Sequence, residues 1–193
     1  MGSNKSTLQH IPNAEELMEE TGFSAAHIQR LYDRFQLLDR DQMGGLRNED
    51  FEAIPELVTN PIKDRIIGAF LSPGKDMVDF PSFVRVLAHF QPTNSKRSKT
   101  SSQEQYNSPT RKLQFVFQLY DQDRDGKISK TEMLQVLQEM LRMEETDEQL
   151  QSVMEKAFQE ADLDQDDAIS FDEFKKSLEK LDISEKMSIG FLC

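Results

Sequence analysis

The chain has 193 residues, with 35 acidic side chains against 23 basic ones and a net charge of −12. That length can bury a core as one domain or two small lobes, and the acidity repels nucleic acid and anionic membrane unless charge is locally reversed or a cation is bound. No apolar run of about 18 residues is long enough to span a bilayer, no secretory leader pattern opens the chain, and the single cysteine, Cys193, rules out an intrachain disulfide, which favours a reducing compartment.

The opening MGSNKS fits the N-myristoylation pattern, with Gly2 exposed after Met removal and Ser6 at the favoured place. One myristoyl chain binds a membrane only marginally, roughly 10⁴ M⁻¹. No polybasic patch reinforces it, because Lys5 is followed by Glu15, Glu16, Glu19 and Glu20. The second attachment is therefore expected to be a membrane protein.

Residues 24–38 place Ile28, Leu31, Phe35 and Leu38 on one helical face behind Ser24, a good N-cap. A loop, DRDQMGGLRNED, follows from Asp39. Pro55 limits the helix leaving it, and Pro61 bounds the entry to the next unit. A second loop begins at Leu71, a third at Asp121 and a fourth at Asp162, the last preceded by a helix carrying Leu150, Val153, Met154, Ala157, Phe158 and Ala161.

Aligning the four loops exposes a repeat. Four residues before each loop stand Phe35, Ile67, Phe117 and Phe158; at the eighth place stand Leu46, Val78, Ile128 and Ile169; just after the twelfth stand Phe51, Phe83, Met133 and Phe174. All twelve are apolar. The outer columns predict helix faces that meet across each loop, and the eighth place suits a short strand pairing with its twin in a neighbouring unit. One unit cannot bury its apolar face alone, so units are expected to pair. The fold class is all-α: four helix–loop–helix units in two paired lobes, the EF-hand pattern. The expected organisation is an N-terminal segment over 1–23, an N-lobe over 24–90, a polar flexible linker over 91–110, a C-lobe over 111–182 and a tail over 183–193.

The loops differ in ligands. The third, DQDRDGKISKTE, offers Asp121, Asp123 and Asp125 at places 1, 3 and 5, the Lys127 carbonyl at place 7, Ser129 through water and Glu132 as the closing bidentate carboxylate, with Gly126 at the sharp turn. Four carboxylates crowded together repel one another without a cation. The fourth loop matches with Asp162, Asp164, Asp166, the Ala168 carbonyl, Ser170 and Glu173. Asp167 replaces the turn glycine there, a residue that visits the left-handed region more readily than most. Two Ca²⁺ sites are thus expected. The second loop has Leu71, Pro73 and Lys75 at places 1, 3 and 5 and ends on Ser82, so it is read as empty. The first keeps Asp39 and Asp41, but Met43 removes one oxygen, Arg47 puts a positive charge at place 9, and Asp50 is shorter than Glu. An empty loop is the first reading and Mg²⁺ the second.

Several segments resemble the calcineurin B homologous proteins, relatives of the regulatory component calcineurin B: MGSNKSTL, ETGFS at 20–24, NPIKDRII at 60–67, FVRVLAHFQP at 83–92, KLQFVFQLYDQDRDGKIS at 112–129, EMLQVL at 132–137 and EKMSIGFL at 185–192. That family likewise keeps its last two calcium loops and has lost its first two, whereas calcineurin B keeps ligands in its second loop. The resemblance implies a calcium-binding, N-myristoylated cofactor, monomeric without its partner, cytoplasmic and peripheral at the plasma membrane. It would hold a juxtamembrane amphipathic helix of a Na⁺/H⁺ exchanger in an apolar groove and support exchanger activity and its pH regulation; some members also inhibit calcineurin. The alternative is a calcineurin B-type regulatory subunit that binds calcineurin A. Helix-in-groove recognition uses i, i+3, i+4 and i+7 anchors, and Val84, Leu87, Phe90, Leu137, Met140 and Leu141 are the apolar groove candidates, although core packing uses the same spacing.

KRSK among linker hydroxyls reads either as a phosphorylation or nuclear-import element or as a plain solvated linker. The Leu-rich LQVLQEMLRM and SLEKLDISEKM resemble spacing the family uses for nuclear export, which helix packing also needs. The three histidines, His10, His27 and His89, stand apart, and neither a phosphate loop nor a nucleophile elbow occurs, so no catalytic constellation emerges and the chain is read as a non-enzyme.

Overall fold

The computed structural model describes residues 8–71, 74–92, 106–141 and 148–179. In chain order the elements are α1 (Ala14–Thr21), α2 (Ala25–Leu38), α3 (Asn48–Phe51), α4 (Pro55–Val58), α5 (Lys63–Phe70), α6 (Phe80–Ala88), α7 (Pro109–Tyr120), β1 (Lys127–Ser129), α8 (Lys130–Leu141), α9 (Glu148–Ala161), β2 (Ala168–Ser170) and α10 (Phe171–Ser177). No helix among the described residues is long and apolar enough to cross a membrane.

The repeat is built as its columns predict. In the first pair of units Leu46 and Val78 form an antiparallel bridge, with amide–carbonyl distances of 2.9 and 2.8 Å in the two directions. In the second pair β1 and β2 run antiparallel with Ile128 opposite Ile169. Each bridge ties two helix–loop–helix units together where neither could bury its own apolar face. Ten of the twelve column residues are buried; Met133 and Phe174 are only partly covered.

Among the described residues two apolar cores result. The N-half core gathers Phe35, Leu46, Phe51, Ile67, Val78 and Phe83 with Ile28, Phe70, Phe80 and Val84. Its rings meet edge-on or tilted, as in Phe35–Phe80 at 5.5 Å and Phe51–Phe70 at 5.1 Å. The C-half core is smaller, with Phe117, Ile128, Met154, Phe158, Ala161 and Ile169 buried.

Two boundaries differ from the sequence reading. Residues 8–23 are part of the N-half: α1 buries Ala14 and Leu17, and Ile11 and Phe23 join the same core. Glu20 clamps it to α6 through Arg85, Nε to Oε2 at 2.8 Å. As Pro55 requires, the first unit's exit helix stops after one turn at Phe51, and Pro55 opens the separate turn α4. The linker is also shorter than 91–110. Ser108 caps α7 by accepting from the Arg111 amide, and the Asn107 side chain donates to the Pro92 carbonyl at 3.0 Å, closing the ends of the connection on each other. Residues 93–105, which include KRSK, lie outside the described residues, as do Gly2 and the tail.

The halves are joined through α5 and α7. Arg65 of α5 is buried there. Its Nε and Nη2 donate to Glu139 at 2.6 and 2.9 Å, and its Nη1 donates to the Leu119 carbonyl at 3.1 Å.

Candidate metal centre and partner cavity

The third loop brings Asp121, Asp123 and Glu132 together, with one ligand oxygen from each within 4.8 Å of the others; Asp162, Asp164 and Asp166 form the equivalent cluster in the fourth. Local hydrogen bonds set up these clusters. The Glu132 carboxylate accepts from the amides of Gln122 at 2.8 Å and Ser129 at 2.9 Å and from the Ser129 hydroxyl at 2.8 Å. Glu173 repeats the arrangement with Leu163, Ser170 and the Ser170 hydroxyl at 2.8, 2.8 and 2.7 Å. Each closing glutamate is thus folded over its loop. At Glu173 the Ser170 hydroxyl, then the Ser170 amide, hold the carboxyl down to about 2. At Glu132 burial works upward, but the Ser129 and loop amides outweigh it and the group stays below its usual range. Both therefore present full negative charge at neutral pH.

Asp121 behaves differently. Its Oδ2 accepts from the Gly126 amide at 3.1 Å, while its Oδ1 is buried with no hydrogen-bond partner among the described residues. Burial first, then the charges of Asp125 and Glu132, push its carboxyl up. A buried carboxylate oxygen without a donor costs free energy unless something positive meets it. Hard oxygens converging at this spacing suit a cation of the Ca²⁺ kind, which takes six to eight oxygen ligands. The residues present fit that ion. Asp167 adopts φ of 65°, taking the left-handed turn that Gly126 takes at 88° in the third loop. Lys127 and Ala168, whose carbonyls fall at place 7, begin the paired strands.

Two ion pairs between the loops have no signal in the sequence. Lys127 Nζ donates to Asp166, and Lys130 Nζ donates to Asp167 at 2.5 Å. The Lys127 contact is the first cause of an Asp166 carboxyl below its usual range. Lys127 and Asp166 become neighbours only once β1 and β2 pair.

In the first loop Asp39 spends both oxygens on the chain itself, accepting from the amides of Met43 at 2.9 Å and Gly44 at 2.8 Å, while Asp50 accepts from the Arg47 amide at 2.8 Å. In the second, Asp79 caps α6 by accepting from the Ser82 amide at 2.9 Å.

The six groove candidates do not form one surface. Val84 is fully buried at 0% exposure, because it lies on the inward face of α6; it is core, which corrects its assignment to the groove. Phe90 packs edge-on against Phe115 at 5.2 Å, and Leu137 lies against the C-half core. Met140 and Leu141 are exposed at the end of α8. Of the six, Leu87 alone lines an apolar cavity of about 550 Å³ in the N-half. Its walls come from α2 (Leu31, Leu38), from Phe51 and Ile54, from α4 (Leu57), from α5 (Ile66, Phe70) and from α6 (Phe83, Leu87). These side chains recur at helical spacing within each element, but only the folded lobe makes them converge.

A family profile described as an EF-hand domain pair matches residues 110–186. The calcineurin B subunit of Naegleria gruberi is 38% identical over 189 residues, covering 98% of this chain and 99% of the relative. The type 1 calcineurin B subunit of Dictyostelium discoideum is 35% identical over 97% of this chain and 98% of its own length, and the calcineurin B subunit of Candida glabrata is 34% identical over 92% and 94%. With paired helix–loop–helix units, acidic clusters in the last two loops and this likeness along nearly its whole length, the chain belongs to the calcineurin B-like family of EF-hand calcium-binding regulatory subunits.

Proposed function

We propose that this regulatory protein seats an amphipathic helix of a partner in the N-half cavity, with Ca²⁺ in the third and fourth loops holding the C-half in a competent shape. The cavity of about 550 Å³ between α2 and α4–α6 carries the reading, being concave and mostly apolar. The partner by this reading is a juxtamembrane helix of a Na⁺/H⁺ exchanger, whose activity and pH response the protein supports. Myristoylation at Gly2 supplies a weak membrane attachment, and the partner supplies the second one that keeps it peripheral at the plasma membrane. Support comes from the segments that resemble the calcineurin B homologous proteins and from a first loop whose shape is held by its own amides.

A second reading is a calcineurin B-type regulator of the catalytic component of a calcineurin-like phosphatase. The names of the relatives, all calcineurin B subunits, favour it. Competition for the same cavity would also let the protein inhibit calcineurin. Pull-down of the calcium-loaded chain with an exchanger juxtamembrane peptide and with a calcineurin A helix separates the two. Capture of the exchanger peptide supports the first reading; capture of the calcineurin A helix alone establishes the second and overturns the first.

A further inference from the structure

The cavity is mostly apolar, but charged side chains also line it. On the α2 edge stand His27, Arg30 and Arg34, at i, i+3 and i+7 and so along one helical face. Glu56 of α4, with Asn60 just beyond the helix, also lines the cavity. Both arginines are exposed, and among the described residues neither makes an ion pair or a hydrogen bond. In a chain of net charge −12 two unpaired cations on a cavity rim depart from the surrounding charge. The third member of the edge carries an independent sign of a missing ligand. His27 Nδ1 meets the Ser24 hydroxyl at 2.7 Å, while its Nε2 is buried without a hydrogen-bond partner among the described residues. A buried polar nitrogen beside an apolar cavity is costly unless a bound group meets it.

Resting on the helix-seating reading above, we propose that the seated helix is amphipathic with an acidic flank. Acidic side chains one turn apart face α2, where Arg30 and Arg34 pair with them and His27 Nε2–H donates a hydrogen bond to the same flank. The flank facing Glu56 carries no acid. The asymmetry fixes the orientation and rotation of the helix in its seat, a specificity role, while apolar anchors supply most of the affinity.

The test uses three synthetic helical peptides with identical apolar anchors at i, i+3, i+4 and i+7 and with glutamate, glutamine or lysine on one flank. Binding to the full calcium-loaded chain is measured by calorimetry. Rim pairs of this kind are individually weak, so wild type is expected to prefer the glutamate peptide over the lysine peptide by roughly five- to tenfold. The double variant Arg30→Glu, Arg34→Glu is expected to reverse that order. Both positions are exposed, and far-UV circular dichroism checks that the variant folds. The long-range field of an acidic protein favours the lysine peptide, so a glutamate preference reports the local edge. Equal binding of all three peptides, or a lysine preference in wild type, overturns the acidic flank while leaving the helix seat intact. Failure of all three to bind overturns both.

Discussion

Asp39 and Asp121 hold the same first place in the first and third loops, and the fold treats them in opposite ways. Asp39 has an amide for each oxygen and no carboxylate at the fifth place, where Met43 stands. Asp121 has an amide for one oxygen, none for the other, and faces Asp125 and Glu132. The first loop thus meets its own first-place carboxylate with amides, whereas the third leaves one buried oxygen for a cation to meet. The cores follow the same division. In the N-half the residue after each loop, Phe51 or Phe83, is buried, while its C-half counterparts Met133 and Phe174 remain partly open. One repeat thus gives an apolar N-half and a C-half whose acidic clusters suit a cation, although Asp162 of the fourth loop, like Asp39, has an amide for each oxygen.

The deepest test of that division is a matched pair of core truncations. Phe51 and Phe158 are both almost fully buried, and Phe→Ala at either costs about 3–5 kcal/mol. Chemical denaturation of Phe51→Ala should show the same loss with calcium and with chelator. Phe158→Ala should show part of its loss as weakened calcium affinity, because Phe158 leads into the fourth loop. Equal calcium dependence in both variants would break the comparison.

Calcium removal comes next. An ion at about a hundredfold its Kd stabilises a folded state by about 2.7 kcal/mol per site. Chelation should therefore strip hydrogen-exchange protection from 117–177 while leaving 14–88 protected. Glu132→Gln and Glu173→Gln should each lower the calcium stoichiometry in calorimetry by one site. Unchanged stoichiometry in either would remove that loop from the metal centre.

The seam between the halves sharpens the picture further. Arg65 is 5% exposed at its side chain and Glu139 is 41% exposed. Arg65→Ala leaves a carboxylate that water can reach, but it strands the Leu119 carbonyl, so the expected cost is about 2 kcal/mol. Because Leu119 lies two residues before Asp121, this variant should also lower calcium affinity by titration, whereas Arg85→Ala on α6 should not.

How much of this is legible in the sequence follows from where each signal resides. The twelve apolar columns announce the units, their pairing and the strand partners, because burial at a fixed offset repeats along the chain. Ser24 is readable as a cap because its amide partner lies three residues away. Val84 reads as groove in the sequence because core and groove helices share one periodicity, and only the packing of α6 says which face turns inward. α1 escapes notice because an eight-residue helix with four glutamates buries only a narrow stripe. Arg65–Glu139 and Lys127–Asp166 lie 74 and 39 residues apart, and no local pattern marks either. The cavity edge of His27, Arg30 and Arg34 is present as spacing, but it gains meaning only when α4 and α5 close the other side.

The smallest expected effect separates the two loops most cleanly, because its sign differs between them. Asp39→Asn replaces one accepting oxygen with a donor, so one of the Met43 and Gly44 bonds is lost. The cost should be about 1 kcal/mol, a fall of roughly 2–4 °C in Tm, equal with and without calcium. Asp121→Asn in the presence of chelator relieves repulsion from Asp125 and Glu132 and leaves the buried position uncharged. There the Tm should hold or rise. With calcium present the same change deletes a charged ligand, and the Tm should fall below wild type. Thermal scans of the two variants in both conditions decide the matter: if Asp121→Asn is destabilising under chelator by as much as Asp39→Asn, the third loop is self-sufficient after all, and calcium is not what completes it.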